Sequence, residues 1–180
     1  KVIAAFAEGG VDAIEIGFPY SDPVMDGPTI QAAAVQSLSQ GTGAKEVFES
    51  LQCAHDHGVA AVVMTYWNPI ERYGVDKFAQ AIADHGGSGV ITPDLTVEES
   101  QGWIAATDAS KINRIYVVAP STSDSRLPVV TSKCGGFVYA ASLMGVTGTR
   151  TSVSSSAADL VSRVRKTTDT PISVGLGVST

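Results

Sequence analysis

Short apolar, β-branched runs alternate with amphipathic stretches along this chain, and each run ends in a turn of glycine, proline or polar residues. The runs at 13–17, 59–65, 89–92, 113–119, 136–141 and 172–175 predict strands. Between them, Val75, Phe78, Ala79, Ile82 and Ala83 recur at helical spacing, as do Ala157, Leu160, Val161 and Val164. The longest connection holds two helical segments, 29–39 and 44–57, split by Gly-Thr-Gly. Residues 1–7 read as the end of a helix already under way, so the chain is expected to be a piece of a longer protein.

Strands that alternate with helices predict a parallel α/β sheet, because each parallel crossover needs a helix to return the chain. Two architectures compete, a doubly wound open sheet and a (β/α)8 TIM barrel. A complete barrel takes eight strands and roughly 200 to 250 residues. With 180 residues and six strand runs, the chain offers about six of the eight βα units. A barrel lacking pieces at both ends accounts for the count and the ragged termini. The expectation is therefore a single partial barrel domain over residues 1–180, with an open sheet as the alternative.

Composition narrows the function classes. Hydrophobic residues make up 44% and charged residues 17%, the balance of a globular chain. A net charge of −6 without a basic stripe speaks against nucleic acid or an anionic membrane as partner. The longest apolar run, 59–64, is too short to span a bilayer. Cys53 and Cys134 have no paired spacing, which argues against a zinc knuckle or a disulfide framework and suits a reducing cytoplasm. His55 and His57 stand two apart on a helix, face different ways and do not chelate one metal; with His85 they are expected at the surface. No serine or cysteine sits beside a base, and no strand carries a lysine for a Schiff base. Carbon–carbon chemistry here would have to run by acid–base catalysis.

One stretch stands out, EIGFPYSDPVMDGP at 15–28. Side chains alternate along a strand, so Ile14 and Ile16 share one face and Glu15 takes the other. In a barrel that second face is the interior, close to the mouth where active sites are built. Partial desolvation there would raise the Glu15 pKa toward a range useful for proton transfer. The competing reading puts Glu15 at a sheet edge or in a structural ion pair. Pro19, Pro23 and Pro28 stiffen the loop that follows, and Pro28 suits the first turn of a helix. Asp22 reads as an Asx-turn residue. By position Asp26 either favours the helix dipole or reaches over the mouth to accept a substrate N–H.

Glycines close the fifth and sixth strands, in SLMGVTGTR and SVGLGVST. Gly145, Gly148, Gly175 and Gly177 are candidates for a backbone phosphate cradle, although glycine at a strand end is also an ordinary turn residue. GLGVST lacks the third glycine of a dinucleotide fingerprint. Tyr66, Trp67, Phe137 and Tyr139 either line a flat aromatic ligand or belong to the core.

Taken together, EIGFPYSDPVMDGPTIQ, VMTYWNPI, GVITPDLTVEES, FVYAASLMGVTGTR and VGLGV closely resemble, in order and spacing, the tryptophan synthase α subunit family, with wording like its actinobacterial branch. The resemblance implies a (β/α)8 barrel that cleaves indole-3-glycerol phosphate to indole and glyceraldehyde 3-phosphate in tryptophan biosynthesis. It implies no cofactor in this chain, because pyridoxal phosphate belongs to the partner β subunit of an α2β2 heterotetramer. By motif, Glu15 matches the acid–base carboxylate that protonates indole C3, and Asp26 the carboxylate that holds the indole N–H and faces the ring's developing positive charge. Tyr139 matches the active-site tyrosine, and Thr147 the threonine of a loop that closes toward Asp26. Gly148 and Gly177 match backbone donors to the phosphate, and Tyr66 lies in the segment lining the indole pocket and facing the β subunit. The family's first strand would precede Lys1 and its last would follow Thr180. Two rivals share parts of this pattern: another phosphate-handling barrel enzyme, and a non-catalytic activator of a β subunit.

Overall fold

A computed structural model describes residues 1–141 and 155–175. Its elements alternate as the pattern requires. Helix α1 (Val2–Glu8) leads into strand β1 (Ala13–Gly17), and helices α2 (Pro28–Ser39) and α3 (Ala44–Asp56) return the chain to β2 (Ala60–Met64). Helices α4 (Trp67–Tyr73) and α5 (Val75–Asp84) precede β3 (Gly89–Ile91), and α6 (Gln101–Ser110) precedes β4 (Asn113–Ile115) and β5 (Val117–Val118). Helix α7 (Leu127–Thr131), β6 (Val138–Ala141), α8 (Ser155–Arg165) and β7 (Ile172–Gly175) complete the order.

Every strand pairing is parallel, and spatial order follows chain order, β1-β2-β3-β4 in one ladder and β5-β6-β7 in the next. The run expected as one strand at 113–119 is broken at Tyr116, and the break lets it serve both ladders. Asn113, Arg114 and Ile115 pair with β3, Val117 and Val118 pair with β6, and the Tyr139 N–H donates to the Tyr116 carbonyl at 3.2 Å. A doubly wound sheet reverses its strand order at a switch point; among the described strands there is no reversal. The order is that of a barrel wall, and the open-sheet alternative falls.

The two faces of the wall differ. Ile14, Ala61, Val63 and Val90 point outward and pack with Phe48, Leu51, Phe78, Ile82 and Trp103 of the surrounding helices. A second outer cluster joins Val118, Val138 and Ala140 to Leu127, Val130, Leu160 and Val164. Facing inward, Val62, Ile91 and Ile115 are buried, with Met64, Val117, Phe137 and Tyr139 packed beside them. The helices form because apolar positions recur on the face toward the wall: Val47, Phe48, Leu51 and Ala54 on α3, and Phe78, Ala79 and Ile82 on α5, are the buried ones. The Gly43 N–H, left without a partner at the start of α3, donates to Glu46 Oε2 at 2.8 Å. Helix α2 starts on Pro28 as expected, yet it buries no residue, and Ile30, Val35 and Leu38 stay exposed on it.

Candidate active site

The inward residues and the loops at the C-terminal strand ends enclose a cavity of about 510 Å³, within the size range of a small-ligand site. Glu15 and Gly17 form part of it from β1, Met64 and Thr65 from the end of β2, Val117 and Tyr139 from β5 and β6. The loop 18–27 closes one side with Phe18, Pro19, Tyr20, Met25 and Asp26, and the small residues Ala33 and Ala34 of α2 leave room beside it. Glu15 pairs in register with Val62, an inward residue, while its neighbours Ile14 and Ile16 join the outer cluster. The alternation read from the sequence therefore turns the carboxylate toward the cavity, from a strand that is the outermost of its ladder among the described residues.

Glu15 is open to the cavity and reachable by solvent, but the protein around it desolvates the carboxylate and pushes its pKa above the usual 4.5. The Asp26 carboxyl is half-buried and also raised, by desolvation, while hydrogen bonding from Tyr66 pulls the other way. Burial is likewise the main cause that lifts the buried Tyr66 phenol above its ordinary value. Both carboxylates, Tyr66 and Tyr139 line one cavity whose described lining contains no Lys, Arg or His. Such a site can hold an apolar ring and move protons on it; an anionic group would need other donors.

Not every candidate falls in this picture. Thr147, Gly148 and Gly177, with Gly145, lie outside the described residues. Gly175 is described, and its reason for being glycine is packing: a Cβ there would lie 1.9 Å from the Tyr139 hydroxyl oxygen. Trp67 and Phe137 stand outside the cavity lining; Trp67 packs edge-on against Trp103 at 6.0 Å, and Phe137 packs in the barrel interior. Asp22 is exposed and accepts from the Ser21 hydroxyl at 2.5 Å. Among the described residues no group of His, Cys, Asp or Glu could hold a metal ion, and Cys53 and Cys134 are free. Sequence reasoning missed Asp94, whose carboxylate accepts the Trp67 N–H at 2.9 and 3.1 Å and so anchors the start of α4 beside the pocket. An acid ahead of a helix was the available signal, but Asp94 caps a helix 27 residues earlier in the chain.

A parallel barrel wall with two carboxylates in an apolar mouth defines a class, a TIM-barrel enzyme with its pocket at the C-terminal strand ends. The family model for the tryptophan synthase alpha chain matches residues 1–180. The tryptophan synthase alpha chains of Acidothermus cellulolyticus and Thermobifida fusca are 53% and 56% identical over 178 and 182 residues, covering 99% of this chain and 67% of each relative. A solved structure of Mycobacterium tuberculosis tryptophan synthase superposes with a TM-score of 0.93 at 49% identity, over 98% of this chain and 67% of that one. The α2β2 complex from Pyrococcus furiosus gives 0.89 at 34% identity, over 99% and 72%. The chain belongs to the tryptophan synthase alpha chain family, and it spans about two thirds of the length of the curated relatives it matches.

Proposed function

We propose that Glu15 and Asp26 carry the family's reaction here, the retro-aldol cleavage of indole-3-glycerol phosphate to indole and glyceraldehyde 3-phosphate. The observation that supports this reading is their meeting, from a strand and a loop, on one largely apolar cavity. Glu15, poised by desolvation to carry a proton, delivers it to indole C3 and leaves the ring a cation. Asp26 accepts the indole N–H and opposes that positive charge. The Glu15 carboxylate then takes the proton of the side-chain hydroxyl next to C3. The O–H electrons become the aldehyde C=O, the carbon–carbon bond breaks, and its pair neutralises the ring as indole leaves. Tyr139 and Tyr66 bound the ring, and Thr147, Gly148 and Gly177 serve loop closure and the phosphate.

No cofactor enters these steps; in this family pyridoxal phosphate belongs to the β subunit, which pairs with the α chain as α2β2. Residues 1–180 form part of one barrel domain. Among the described residues no helix is long and apolar enough to cross a membrane. With both cysteines free, the cytoplasm is the fitting compartment.

The test is indole release from indole-3-glycerol phosphate by the full-length chain with its β subunit. Asp26→Asn keeps the shape and loses the charge, and turnover should fall about 10²- to 10³-fold, as when a preorganised electrostatic partner is removed. Normal turnover in that variant would refute the role of Asp26.

A further inference from the structure

Tyr66 contributes more than a wall. It sits two residues past the end of β2 and forms the N-cap of α4, with φ −68° and ψ 162°, so its main chain joins two elements of the barrel. Its side chain is 6% exposed. The loop it meets, 18–27, has no helix or strand of its own. From that loop the Met25 N–H donates to the Tyr66 hydroxyl oxygen at 2.9 Å. The next residue, Asp26, lines the same cavity as Tyr66, and the phenol beside it draws the Asp26 carboxyl down against the desolvation that raises it. One hydroxyl thus holds residue 25 by a hydrogen bond and stands near the carboxylate of residue 26.

The other end of the loop is clasped to the same segment. The Tyr20 ring lies 5.4 Å from the Tyr66 ring at 37°, and the Asn68 side-chain amide donates to the Tyr20 hydroxyl at 2.7 Å. Behind them, Asp94 holds the Trp67 N–H. Tyr66, Trp67 and Asn68 therefore form a fixed post against which the loop is drawn.

We propose that Tyr66 is a positioning residue, whose hydroxyl ties the loop to the barrel and aims the Asp26 carboxylate at the bound ring. The inference rests on the acid–base reading above. A carboxylate on an otherwise irregular loop has many orientations, and a donor fixed to the barrel selects one of them. A phenol donor beside the carboxylate also favours its charged form and opposes the desolvation that raises its pKa. The groups that titrate around it are Glu15 from β1, Tyr20 from the loop and Tyr139 from β6, with Asp94 behind Tyr66.

The experiment uses the full-length chain assembled with its β subunit. Tyr66→Phe retains the ring and removes the hydroxyl. Turnover should fall about 10- to 100-fold with little change in KM, the effect of losing one hydrogen bond to a charged group. The acid limb of the pH–rate profile should move to higher pH, because Asp26 then ionises later. A carbon-13 titration of the Asp26 carboxyl should move the same way. Replacement of Tyr66 by 3-fluorotyrosine, a stronger donor of nearly the same size, should move the limb to lower pH, and this arm decides the matter if the phenylalanine variant does not fold. Asp26→Asn runs alongside: if it keeps normal turnover, the acid–base reading itself is wrong. If it is impaired while both Tyr66 replacements leave the limb in place, only the positioning role is overturned.

Discussion

Glu15→Gln separates what this residue does for catalysis from what it costs the fold. The substitution keeps the size of the side chain and its reach into the cavity but removes the titrating proton. General acid–base catalysis is worth about 10²- to 10⁴-fold, or about 3–5 kcal/mol of barrier. The upper end is expected, because the same carboxylate serves both protonation of C3 and removal of the hydroxyl proton. No neighbour replaces it: Asp26 is engaged with Tyr66, and the Tyr66 phenol is held above its already high range by burial. Stability should move the opposite way. The folded-state pKa of Glu15 lies above its ordinary 4.5, so the folded protein binds this proton more tightly than the unfolded chain does. Stability from this group is then complete below pH 4.5 and declines as pH rises through the raised value. The neutral amide escapes that penalty. Glu15→Gln should therefore melt higher than the parent at pH 7 to 8, with the gap closing toward about pH 4. Indole release measures the first effect, and thermal melts across pH measure the second. Turnover within tenfold of the parent would refute the catalytic reasoning. A stability gap independent of pH, or of the opposite sign at neutral pH, would refute the electrostatic reasoning.

Gly175→Ala places its Cβ 1.9 Å from the Tyr139 hydroxyl oxygen and 2.2 Å from its Cζ, so the ring must move; KM should rise, with a stability loss of about 1–3 kcal/mol in thermal melts. Tyr139→Phe should not rescue it, since the ring carbon is nearly as close as the oxygen. Phe78→Ala empties a fully buried site between Phe18, Phe48, Tyr73 and Trp103 and should cost about 3–5 kcal/mol in denaturant unfolding. Glu98, held down to about 2 by the two-pronged contact from Arg126, should contribute stability above pH 4.5 that is lost as pH falls toward 2; Glu98→Gln should flatten the acid side of the melting profile.

Much of this protein is written locally. The period-2 alternation at 13–17 puts Glu15 opposite Ile14 and Ile16 whatever the sheet becomes, because a strand has only two faces. All six strand runs form, since their β-branched content and their turn-forming ends agree with the fold. The proline-stiffened loop ahead of α2 was legible for the same reason, as was the helix start at Pro28. Helices α4, α6 and α7 were not foreseen: Trp67–Tyr73 and Leu127–Thr131 are short, with a proline near the start that local pattern reads as a break, and Gln101–Ser110 buries only Trp103, Ala106 and Thr107.

Other features depend on contacts between distant segments, and no local pattern carries them. Whether the wall is a barrel or an open sheet is decided by strand order, which the crossovers set in space. The role of Asp26 was ambiguous in sequence because its setting comes from Tyr66, 40 residues later, across the mouth of the barrel. Gly175 reads as a loop glycine until the Tyr139 ring is seen to occupy the space of its missing side chain. The order of residues alone settles which side chains share a strand face, since that follows from the geometry of one strand. Tertiary structure decided which inward residues meet and how each carboxylate is desolvated, because both depend on atoms that only folding brings together.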